Sequence, residues 1–214
     1  MTDWKGLQQR ARARYEDGAD RLPDDSDARQ KQLTRMGNAA GAAGLTALMG
    51  GADGGEWFAR AAERYRESWE HAPPGSWGRP IGAIKARILA GDWDGAAADA
   101  RWALDAGAAE AESPIGRYAA ALAFAVLGEL DEVRVHADYA RTHEAFPNEV
   151  CDALAFIAAE DVVGYTEAVE EVLESFETRS DYLEDVPVAD TVLVLQALAG
   201  RRQLAAELES ALLP

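Results

Sequence analysis

A unit of about 35 residues recurs along this chain. That recurrence limits the fold more than any other feature, because repeated units must bury their apolar faces against one another. Four segments align as Phe58/Ala61/Tyr65/Ser68, Trp93/Ala96/Ala100/Ala103, Leu130/Val133/Ala137/Ala140 and Tyr165/Ala168/Val172/Ser175, with 35, 37 and 35 residues between them. Offsets of 3, 4 and 3 within each segment put the four side chains on one face of a helix. The face starts large and turns small, which lets a neighbouring helix approach closely. These are read as the second helices of helix-turn-helix units.

The punctuation supports the same reading. Pro80, Pro114, Pro147 and Pro187 each fall where a first helix should begin, and proline at a first helical position sacrifices no hydrogen bond. Ser113 is placed to cap the helix opening at Pro114. Gly91, Gly128 and Gly200 fall at the predicted turns from first to second helix, where a left-handed residue ends a helix. Pro80-Ile81-Gly82 recurs as Pro114-Ile115-Gly116, 34 residues on.

Ahead of the units, Asp3 to Asp17 and Ser26 to Met49 are predicted helices joined across Leu22-Pro23-Asp24-Asp25. Gly37, Gly41 and Gly44 in the second imply close helix contact or a break. After the units, Asp190 to Ala199 and Gln203 to Leu212 are predicted to form a final pair. No segment alternates as a strand would. The expected fold is all-α, a right-handed stack of about five antiparallel helix pairs in a single domain over residues 1–214. Residues 1–50 supply N-terminal helices, 51–178 the repeats and 179–214 the C-terminal pair.

The layout resembles the tetratricopeptide repeat (TPR) family, over about residues 42–178. Ala61, Tyr65, Ser68 and Pro73 match that family's second-helix spacing. The first helices depart from it: Met49 and Ala52, Ile84 and Arg87, Ala121 and Phe124, and Phe156 and Ala159 stand where the family favours glycine and then tyrosine. The resemblance implies a superhelix whose first helices line a concave groove.

Charge narrows the function classes. With 38 carboxylates against 21 Lys plus Arg the net charge is −17, which repels phosphate backbones and anionic headgroups. Neither nucleic acid nor a membrane is an expected partner. The 18 Arg beside 3 Lys, and 45 Ala, resemble the composition of extreme-halophile proteins, which implies that most acids serve solvation. The acids are concentrated late, with twenty against five basic groups from residue 129 onward. One cysteine, Cys151, excludes an internal disulfide and a cysteine zinc site. With no signal-peptide core or membrane-length apolar run, a cytoplasmic location is expected.

No catalytic, cofactor or metal motif stands out. His71, His136 and His143 lack the spacing of helical metal sites, with Ser68, Val133 and Ala140 three residues before them. Cys151 reads as a small core residue rather than a nucleophile. Asp92-Trp93-Asp94 and Asp131-Glu132 begin second helices, where carboxylates cap amides and favour the dipole. Gly50-Gly51-Ala52-Asp53-Gly54-Gly55 lacks the ending of a phosphate-binding loop.

One pattern departs from the acidic background. Residues 73–91 hold Arg79, Lys85 and Arg87 with no acid, and residues 113–128 hold Arg117 with none. Two readings fit. In the first, these residues with Trp77 and Tyr118 line the groove and take an acidic peptide or a carboxylate. In the second, the helices are central and each Arg pairs with a carboxylate from a neighbouring helix.

The expectation is a non-enzymatic scaffold that binds a protein or peptide partner, acidic in character, with self-association compatible and no cofactor. Two alternatives stand beside it. Residues from about Ala168 to Pro214 faintly resemble the immunity protein 49 family, which implies neutralisation of a toxin through the acidic surface. A helical enzyme with a site built from scattered residues is the other.

Overall fold

The computed structural model describes residues 2–143 and 146–214, and the described residues contain helices and no strand. The ten α-helices are α1 (Trp4–Asp20), α2 (Ser26–Met49), α3 (Gly55–Glu70), α4 (Gly78–Leu89), α5 (Trp93–Asp105), α6 (Pro114–Leu127), α7 (Leu130–Arg141), α8 (Asn148–Ala159), α9 (Val162–Glu177) and α10 (Asp190–Gly200). Each packs against the next from α1 to α9, giving a solenoid-like stack of consecutive pairs. The even-numbered helices also touch along the stack, α2 to α4, α4 to α6 and α6 to α8, and so form a layer of their own.

Local chemistry sets the helix boundaries. Asp3, Asp25, Asp92, Ser113 and Asp161 each accept a backbone N–H of the first turn, filling donors that a helix N-terminus leaves orphaned. Pro114 opens α6 as expected and Pro147 immediately precedes α8, but α4 begins two residues before Pro80 and α10 three residues after Pro187. Gly91 (φ 69°) and Gly128 (φ 82°) take the left-handed turns between helices.

Two expectations are corrected. Gly200 is the last residue of α10, and the left-handed residue beyond it is Gln203, at φ 61°. The helix expected over Gln203 to Leu212 does not form. The Gln196 carboxamide holds the Ala206 backbone from both sides, donating to its oxygen at 2.6 Å and accepting from its N–H at 3.0 Å, while Tyr165 Oη donates to Gln196 Oε1 at 2.8 Å. The Ala189 N–H donates to Leu212 O at 3.0 Å. Docking of the tail along α10 therefore overrides helix propensity, which is weak compared with tertiary contact.

The recurring Pro-Ile-Gly now has a physical reason. A Cβ on Gly82 would stand 2.7 Å from the Tyr65 ring, and one on Gly116 would collide first with the Ala111 Cβ and then, at 2.8 Å, with Trp77 Nε1. In both units the missing side chain makes room for an aromatic ring from earlier in the chain, and at Gly116 for Ala111 as well. Buried apolar residues form two clusters that meet at α4: Ala83 and Ala86 belong to the N-terminal one, Ile81, Ile84 and Ile88 to the other.

Candidate binding groove

After α9 the chain turns back across the stack. Residues 178–190, here called the strap and ending on the first residue of α10, carry Val186 and Val188 into the N-terminal core cluster with α2, α3 and α4. Beyond them α10 lies against α4, α8 and α9, with Val192, Val194, Leu195 and Leu198 buried in the other cluster. The chain's own C-terminal part thus covers the layer of even-numbered helices where a groove was expected.

Electrostatic contacts tie the strap down at two points, its middle and its junction with α10. Arg14 Nη1 donates to Glu184 Oε2 at 2.7 Å and to Glu184 O at 3.3 Å, and its Nη2 donates to Asp185 Oδ2 at 3.3 Å. Glu184 (φ 57°) and Asp185 (φ 58°) both sit in the left-handed region, which disfavours residues with a Cβ. The strained pair is thus the pair that Arg14 grips. At the junction with α10, Lys85 Nζ donates to Asp190 Oδ2 at 2.5 Å and to Thr191 Oγ1 at 3.0 Å.

Of the six residues proposed from sequence, Lys85 alone lines the space beneath the strap. Trp77 is buried, its ring 5.4 Å from that of Trp69. Arg79 joins three helices, donating from Nε to Ser68 Oγ at 2.8 Å and from Nη2 to Gln30 Oε1; burial lowers its pKa. Arg87 bonds Asp92 at 3.0 Å and faces Asp99 at 3.5 Å, and Asp99, buried on α5, also pairs with Arg66. Arg117 donates to Ala111 O at 2.7 Å, to Ala109 O and to His136 Nδ1 at 3.2 Å, and lies over the Tyr139 ring. Tyr118 is buried with its ring 5.3 Å from that of Phe146, and burial, then the charge of Asp190, pushes its hydroxyl pKa up. Arg87 answers the second reading of the acid-poor helices, pairing with a carboxylate of its neighbour. Arg79 and Arg117 are instead satisfied by neutral groups.

Between the strap and helices α2, α3 and α4 lies a cavity of about 370 Å³. Leu45, Phe58, Ile81, Leu89, Phe176 and Val188 are among its apolar lining, and Thr34, Asn38, Lys85, Arg179 and Asp190 among its polar points. Tyr65 stands at one side. Its ring fills the slot between Gly37 and Gly82, where Cβ atoms would approach it to 2.8 and 2.7 Å. Its hydroxyl donates to Asn38 Oδ1 at 2.8 Å; burial, with the charges of Asp190 and Glu184 behind it, raises its pKa.

The remaining chemistry-bearing groups are isolated. Among the described residues no three His, Cys, Asp or Glu side chains converge as metal ligands would. Cys151 is buried, and burial pushes its thiol up to about 12, which holds it protonated near neutrality. No helix among the described residues is long and apolar enough to cross a membrane.

The sequence reading missed Arg14, Asn38, Arg179 and the strap carboxylates. Their one advance signal was the run of glycines in α2. Gly37 and Gly44 do make the predicted close contacts, with Tyr65 and Phe58, and α2 continues unbroken. Comparison with known protein families, with curated proteins and with solved structures gives no match.

Proposed function

We propose that this protein is a non-enzymatic, TPR-like helical scaffold whose inner face binds an acidic peptide bearing spaced apolar side chains. One observation carries the reading: a segment of that chemistry already lies there. The strap reads Asp181-Tyr182-Leu183-Glu184-Asp185-Val186-Pro187-Val188-Ala189-Asp190. Its carboxylates pair with Arg14 and Lys85 and its valines are buried. A partner with the same pattern would exchange with the strap. Because a tethered segment acts at an effective concentration on the order of millimolar, the partner must bind well below that to compete.

The test uses a fluorescent peptide copying residues 179–191, added to the full chain. Neutralising the strap with Glu184→Gln, Asp185→Asn and Asp190→Asn should raise peptide affinity, read by anisotropy. Adding Arg14→Glu and Lys85→Glu should abolish it at unchanged helicity. Absence of binding by both the native and the neutralised chains overturns the reading.

A further inference from the structure

We infer that the cavity beneath the strap is a binding site for a small amphiphilic carboxylate, with an apolar tail inside and its anionic end at Arg179. The inference stands independently of the peptide reading, since it concerns the space left when the strap is in place.

Size and wall come first. About 370 Å³ lies within the range of ligand pockets, roughly 300–1,000 Å³, and the wall is largely apolar, as such pockets are. The space persists because the strap, apart from one 3₁₀ turn at Leu183–Asp185, is a non-helical chain thinner than a helix.

A second observation comes from glycine. At Gly37, Gly44 and Gly82 a Cβ would collide with an aromatic ring, so those glycines serve packing. At Gly41, within α2, and Gly78, at the start of α4, a Cβ would meet no atom within 4 Å, yet both line the cavity. A glycine inside a helix loses more conformational freedom on folding than alanine does. At Gly41 that loss has no return in packing. Its physical effect is to leave the interior open.

Charge selects the ligand's end group. The cavity is bordered by two cations, Lys85 and Arg179, and one carboxylate, Asp190, in a chain where acids outnumber bases 38 to 21. Lys85 and Asp190 neutralise each other at 2.5 Å. Arg179 has no carboxylate within 4.0 Å among the described residues: it donates to Ser175 O at 3.2 Å and Ser175 Oγ at 3.4 Å, with its guanidinium 3.6 Å from the Phe176 ring centroid. That places a planar cation, exposed at the cavity's rim, beside an apolar wall, the arrangement that suits a carboxylate attached to a hydrocarbon. The Asn38 amide nitrogen, which has no protein partner among the described residues, adds a neutral donor inside.

The experiment titrates decanoate, and 1-decanol as its uncharged counterpart, into the full chain by calorimetry below the micellar range. Decanoate should bind saturably at one site. Gly41→Leu, which fills the space and favours the helix, should abolish binding without lowering the melting temperature; Gly78→Leu repeats the test from the opposite wall. Arg179→Ala should weaken decanoate about tenfold and leave decanol unchanged. The proposal is overturned if the native chain binds neither compound, if both leucine variants fold and bind as the native chain does, or if Arg179→Ala leaves decanoate affinity unaltered.

Discussion

The two ends of the inner face are covered by the same stretch of chain in different ways. Over α4 and α8 the cover is a helix, α10, about 10 Å across with its side chains, and Val192, Val194, Leu195 and Leu198 fill the face. Over α2 and α4 the cover is the strap, a chain that is non-helical apart from one 3₁₀ turn at Leu183–Asp185 and is narrower than a helix where extended, and a cavity of about 370 Å³ remains. The comparison separates two uses of one surface. Where a helix docks the face becomes core, and where a strap docks it becomes a chamber.

The largest effect should come from truncating the helical cover. Leu195, 1% exposed, should cost about 3 kcal/mol as Leu195→Ala, whereas Val188→Ala, bordering space already empty, should cost about 1 kcal/mol. Urea melts of the two variants measure the gap. Equal losses would mean that the strap packs as densely as α10 and would erase the comparison.

A smaller effect sharpens it through pH. Burial, and then the charge of Arg117, lowers the pKa of His136 below its ordinary 6.5, and Arg117 donates to the Nδ1 lone pair that a second proton would occupy. The unfolded chain therefore binds the proton first. Stability is full above about pH 6.5 and falls as pH drops through the unfolded value toward the lower folded one. Hydrogen exchange at pH 5.5 should quicken in α6 and α7 before α2 and α4, and His136→Gln should flatten that response.

The smallest effect in stability is the most local. Arg14 is partly exposed, so Arg14→Ala should change global stability by less than about 1 kcal/mol. It should nonetheless accelerate exchange of the Asp185 and Val186 amides, because the left-handed pair Glu184 and Asp185 loses its grip. Unchanged exchange there would show that Val186 and Val188 hold the strap unaided.

Much of the fold was legible because it is written locally. The start and end of α2 and the four second helices follow from Asp25, from the 3-4-3 spacing of residues such as Phe58, Ala61, Tyr65 and Ser68, and from the terminal proline and glycine. The cover was not legible, because its contacts are remote: Lys85 meets Asp190 across 105 positions and Arg14 meets Glu184 across 170. The last segment misled for a related reason. Leu204, Ala205, Ala206 and Glu207 favour a helix by propensity, and only the Gln196 carboxamide, on another element, directs Ala206 into an extended path. Arg79, Lys85, Arg87 and Arg117 stood out against the acidic background, but composition could not say that three of them face inward to serine, glutamine, backbone carbonyls and Asp99.

The Tyr65 ring, pressed between Gly37 of α2 and Gly82 of α4, has a mechanical meaning. It is a spacer whose thickness fixes how far apart two helices stand. The chamber beside it takes its width from that one aromatic plane. Exchanging the ring for a smaller side chain would let the two helices approach and narrow the interior, whereas a larger one has no room between the glycines.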